Sequence, residues 1–196
     1  MTSQAAAVGL AVSTGRAVIV VVRGTPQTPK IVVRYEIHLA DPWVPESLHP
    51  YHYELGDFGP ADTRARRRGC QAASKTTRRA IHTLVGNMRS HHLKPQAACV
   101  VVSSLVDPLK VTREHPRAHA QEGKLYREAV EAELSSCRVP FITVVNKDLL
   151  TLAADRLGQT ATQIKLTLKA FSREVGTPWR APEKQAAVGG LIALSG

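Results

Sequence analysis

Between residues 63 and 106 the chain carries Arg64, Arg66, Arg67, Arg68, Lys75, Arg78, Arg79, Arg89 and Lys94, and not one aspartate or glutamate. Guanidinium and ammonium groups gathered without acids to neutralise them suit contact with phosphate oxygens. The whole chain has the same sign, with a formal net charge of +10 at pH 7. An anionic partner is therefore expected, and nucleic acid is the class such a stretch fits. The competing reading is a helix whose basic side does no more than face water.

Other reactive side chains are less organised. Eight histidines offer zinc-type ligands, but His91 and His92 are adjacent, and His115 and His119 have Pro116 between them, which limits a shared helical face. No metal centre is expected from them, and no cofactor. Cys70, Cys99 and Cys137 are odd in number and far apart, as expected of reduced, buried thiols. Ser103 paired with His115 or His119 lacks the GxSxG elbow of a hydrolase. Trp179-Arg180 offers an aromatic-basic pair for a base, although a tryptophan docking the last helix on the core is the simpler reading.

The elements that must position these groups follow from periodicity. Residues 8–12, 17–23 and 31–39 predict an antiparallel meander, broken by a Ser13-Thr14-Gly15-Arg16 turn and by the Gly24–Pro29 stretch. Residues 40–62 hold Pro42, Pro45, Pro50 and Pro60 with Trp43, Tyr51, Tyr53 and Phe58, and predict a long loop without regular helix. Residues 67–91 repeat as an amphipathic helix ended before Pro95, and residues 97–103 as a buried parallel strand. A helix over 117–136, a strand over 141–145 and helices over 148–157, 160–175 and 183–194 complete the pattern, with Thr160 as an N-cap. Close packing of helix on sheet is expected to explain Gly86, Gly189 and Gly190. The result is an α/β fold with a mixed five-stranded sheet, in one domain spanning residues 1–196. No apolar run approaches the roughly 20 residues that cross a bilayer, and the start lacks a signal-peptide pattern, so a cytoplasmic protein is expected.

This element order resembles the ribonuclease H-like fold of RuvC-type Holliday-junction resolvases. Gly9-Leu10-Ala11-Val12-Ser13-Thr14-Gly15 resembles the G-[IL]-D-x-G start of those families, and Gln163-Ile164-Lys165 with the Ala- and Leu-rich last helix resembles their closing part. The resemblance implies two-metal phosphodiester chemistry, with carboxylates on the first strand, at the end of the fourth and on the last helix. This chain has Ala11, Ser103-Ser104 and Gln185 (with Val188) at those positions. None supplies the charge that a hard cation requires, so the inherited site is expected to be degenerate.

The expectation is thus a nucleic-acid-binding ribonuclease H-like protein using Arg64, Arg66, Arg67, Arg68, Lys75, Arg78, Arg79 and Arg89, with stacking from the aromatic segment. Two alternatives stay open. Glu36, Asp107 and Glu183 could rebuild a Mg2+- or Mn2+-dependent nuclease site, or the fold could serve as a protein-interaction module. The resemblance also implies a possible homodimer.

Overall fold

The computed structural model describes residues 4–196. Strands β1 (Gln4–Ser13), β2 (Arg16–Gly24), β3 (Pro29–His38), β4 (Leu93–Val102) and β5 (Phe141–Val145) form one sheet in the order β3-β2-β1-β4-β5. The first three pair antiparallel, whereas β4 runs parallel to both β1 and β5. Buried runs fill β1 from Ala6 to Ala11 and β2 from Ala17 to Val22, as strands covered on both faces require.

The described residues form six α-helices, α1 (Pro50–Leu55), α2 (Thr63–Ser90), α3 (Glu114–Ser136), α4 (Leu149–Leu157), α5 (Ala161–Val175) and α6 (Ala181–Leu194); α1 packs on α2 and α3, and the others cover the sheet. One apolar layer joins Leu10, Ile19 and Val100 to Ile81 and Leu84 of α2 and Tyr126 and Val130 of α3. The other joins Ala11, Val20 and Val101 to residues of α4, α5 and α6. Among the described residues, no helix is long and apolar enough to cross a membrane.

Three local expectations are corrected. Residues 40–62 are not helix-free: a 3-10 turn spans Pro45–Ser47 and α1 follows. Pro45 and Pro50 stand at the start of these elements, where a missing N–H removes no helical hydrogen bond. Pro95 lies inside β4 rather than before it. There Ala6 faces Pro95 and Ala7 faces Ala97, so Gln96 is the extra residue of a bulge that tolerates proline. Finally, Gly86 has open space around its Cα, so close packing does not explain it.

Gly189 and Gly190 do mark a close approach, and so does Gly9. A Cβ on Gly9 would sit 1.7 Å from the Ala186 carbonyl oxygen and 2.5 Å from the Gly190 nitrogen. A Cβ on Gly190 would lie 2.9 Å from a Val22 methyl. α6 therefore lies with its backbone directly on β1. At the other side of the hairpin, Gly15 takes φ +74°, and its carbonyl accepts from the Leu39 and Ala40 amides at 2.8 and 3.1 Å. This fixes where the chain leaves β3. Because backbone meets backbone, no side-chain rotation relieves a methyl at position 9; Gly9→Ala is expected to cost about 3 kcal/mol or more in urea unfolding. A cost below about 1 kcal/mol would show that α6 is free to lift.

Candidate functional site

The carboxyl ends of β1, β3, β4 and β5 share one edge of the sheet, because β3 reverses β2 and β2 reverses β1. Ala11 stands near this edge, opposite Val18 and Val101, and belongs to the apolar layer beneath α6. Ser103 and Ser104 are exposed just beyond β4. Gln185 and Val188 line a cleft of about 530 Å³ together with Trp179 and the lysines Lys165, Lys169 and Lys184, and no carboxylate lines it. Trp179 packs on this layer, as the docking role expects. These side chains offer no carboxylate to a Mg2+ pair and surround the last-helix position with positive charge, so the implied two-metal site does not fit the residues present.

Glu36, Asp107 and Glu183 are each engaged elsewhere. Glu36 pairs with Arg16 at 3.6 Å on the exposed edge strand. Asp107 accepts from the Leu109 amide at 3.1 Å and caps a 3-10 turn. Glu183 accepts from the Arg180 amide at 2.9 Å and faces Arg34 at 3.9 Å. Their carboxylates do not gather; the groups of three ligands found within 4.8 Å among the described residues lie elsewhere.

The basic stretch becomes one face of α2. Asp62 caps the helix by accepting from the Arg64 and Ala65 amides. Ala65, Gly69, Ala73, Thr77, Ile81, Leu84 and Met88 turn inward. At 100° per residue, Arg64, Arg67, Gln71, Lys75, Arg78 and Arg89 then share the outward side. The cations are not equivalent. Arg66 pairs with Glu54 at 2.9 Å, Arg68 pairs with Glu46 at 2.9 Å, and Arg89 donates to the Cys137 carbonyl. Arg67, Lys75, Arg78 and Arg79 are exposed and form no ion pair among the described residues. Trp43, 90% exposed, stands beside this face in a shallow groove that includes Arg68, Gln71 and Lys75.

A second polar centre forms where the segment after β3 meets α3. Glu122 is fully buried, and its two oxygens are held by His49 Nδ1 at 3.0 Å and His52 Nδ1 at 2.7 Å. The His52 ring is also buried, and its Nε2 has no hydrogen-bond partner. That atom lies 4.0 Å from Asp57 Oδ2, and the ring stands against the α3 histidines, its centre 4.8 Å from that of His115 and 4.4 Å from that of His119. The Nε2 atoms of His115 and His119 lie 3.2 Å apart, and the Asp57 carboxylate lies 3.3 Å from His115 Nδ1. Burial and the neighbouring His52 and His115 rings hold the His119 pKa below its ordinary value, which favours the neutral ring. Tyr126 donates to the Ser47 carbonyl and ties the same segment to α3.

This centre overturns the reasoning from Pro116. Because α3 begins at Glu114, Pro116 lies in its first turn, where no helical bond is lost, and His115 and His119 share a face after all. The spacing His115, His119, Glu122 was a legible signal of such a face. Its partners His49, His52 and Asp57 carried none. The cysteines form no disulfide, and burial pushes the Cys99 thiol up to about 12, which leaves it unreactive.

The sheet order and helix placement define the ribonuclease H-like fold. Among the solved structures that match most of the chain are two of RuvC from Thermus thermophilus, one of them in complex with a Holliday junction substrate. Each has a TM-score of 0.56 and 10% sequence identity; the first covers 96% of this chain and 92% of RuvC. No protein-family model and no curated protein sequence matches the chain.

Ala11 provides a test of the edge. Ala11→Asp buries a carboxylate in an apolar layer and is expected to lower stability by about 2–4 kcal/mol, with Mg2+ leaving the urea midpoint unchanged. Recovery of the midpoint in Mg2+ would mean that ligands for a hard cation lie within reach.

Proposed function

We propose that this protein binds nucleic acid through the outward face of α2, on a ribonuclease H-like scaffold that lacks the two-metal nuclease site of RuvC-type enzymes. The observation that carries this reading is the row of exposed cations from Arg64 through Arg67 and Lys75 to Arg78, of which Arg67, Lys75 and Arg78 form no ion pair among the described residues. A helix rise of about 1.5 Å per residue gives that row a length of about 21 Å, the rise of about six base pairs. The nearby Trp43 indole offers a flat surface for an unpaired base. The Holliday junction bound to the RuvC neighbour supports the choice of nucleic acid over other polyanions.

The absence of carboxylates at Ala11, Ser103, Ser104 and Gln185, together with the lysines beside Gln185, supports binding without cleavage. Phosphate contacts of this kind set position and affinity but read no sequence. Arg66 and Arg68 already serve Glu54 and Glu46, so they contribute less than their unpaired neighbours.

Fluorescence anisotropy with four-way junction, duplex and single-stranded DNA and RNA tests this reading across a salt series. Wild-type affinity should fall steeply with salt, by about 0.9 log units per log unit for each phosphate contact on duplex DNA. Combining Arg67→Glu, Lys75→Glu and Arg78→Glu should weaken binding at least about tenfold, whereas Arg66→Ala should change it far less. Salt-insensitive binding, or unchanged affinity of the triple variant, would overturn the interface. Mg2+-dependent cleavage that disappears with Glu36→Ala or Asp107→Ala would overturn the loss of catalysis.

A further inference from the structure

We propose that His52, His115 and His119 form a binding site for a single zinc-class divalent ion, with Glu122 and Asp57 as the carboxylates that orient the rings. This goes beyond nucleic-acid binding and does not depend on it.

Three observations meet here. Ligand nitrogens of the three histidines lie within 4.8 Å of one another. Two Zn–N bonds of about 2.0–2.1 Å at a tetrahedral angle place their nitrogens about 3.3 Å apart. The separation of 3.2 Å between the His115 and His119 Nε2 atoms is close to that spacing.

The orientation of the rings supplies the second observation. A neutral imidazole that gives its Nδ1 proton to a carboxylate presents a lone pair at Nε2, and metal-binding histidines are commonly held this way. His52 hydrogen-bonds Glu122 through Nδ1, and His115 Nδ1 lies 3.3 Å from the Asp57 carboxylate. Both rings therefore turn Nε2 towards the cluster. The third observation is that the His52 Nε2 is buried without a hydrogen-bond partner, the Asp57 carboxylate standing 4.0 Å away, beyond hydrogen-bond distance, and a bound cation removes that cost.

The second group of three, His49, His52 and Glu122, has a different character. Its atoms already hydrogen-bond one another around a fully buried carboxylate. That group fixes His52; it does not compete for the ion. Imidazole donors select zinc and its transition-metal neighbours over magnesium. The side chains of His115 and Asp57 are 61% and 37% exposed, so the fourth position opens to solvent. The ion would also clamp α1 to α3.

The test uses the full chain after chelator treatment, titrated with Zn2+ against a competing chromophoric chelator. One equivalent should bind tightly. Because His115 and His119 are exposed, His115→Ala and His119→Ala should stay folded by circular dichroism yet bind about 100-fold more weakly or worse. Asp57→Asn should weaken binding about tenfold with unchanged stoichiometry, and His91→Ala should have no effect. Co2+ bound to the wild type should give the absorption bands of a four-coordinate site. Three results would overturn the proposal: no stoichiometric uptake, uptake unchanged in the folded His115→Ala, His119→Ala double variant, or a Co2+ spectrum of the hydrated six-coordinate ion.

Discussion

The direct contact of α6 on β1 is the constraint from which most of the architecture follows. Gly9 and Gly190 let two backbones approach where any side chain would intervene. With α6 that low, Ala186, Val188 and Ile192 close over the inner strands, and Ala11 becomes part of a sealed apolar layer. The seal has a chemical consequence. A carboxylate at position 11 would need partners or water, and the layer supplies neither.

On the opposite face the organising element is a buried carboxylate hydrogen-bonded by two histidines, beside a close approach of Gly69 of α2 to the Glu46 backbone. Glu122 sits beneath the chain that leaves β3 and is satisfied by His49 and His52 of that chain. Tyr126 adds a further tie, one turn along α3. The residues from 40 to 62 are thus held against α2 and α3, which places Trp43 beside the basic face. Hydrogen bonds to a buried carboxylate substitute here for the apolar contacts that a proline-rich segment cannot make in quantity.

The fold was largely legible in the sequence because its signals are local and agree with one another. Uninterrupted apolar runs marked β1, β2 and β4, alternation marked the edge strand β3, and the Thr160 cap marked the start of α5. Prolines misled where position mattered more than presence: Pro45 and Pro50 start helical turns, Pro95 occupies a bulge, and Pro116 lies in a first turn. The basic face was visible as composition, but composition does not show which arginines are already paired. Glu46 and Glu54 lie outside the acid-free stretch and reach back to neutralise Arg68 and Arg66. The histidine centre was half legible, through the helical spacing in α3. Its other half comes from residues about 60 or more positions away, which no periodicity connects.

The central claim is that nucleic acid lies on α2 rather than at the sheet edge where RuvC-type enzymes carry their acids. Amide chemical-shift mapping by NMR during titration with a junction oligonucleotide tests it most directly. The account predicts perturbations along Arg64, Arg67, Gln71, Lys75 and Arg78, extending to Trp43. Perturbations confined to the surroundings of Ala11, Ser103 and Gln185, or none at all, would contradict it.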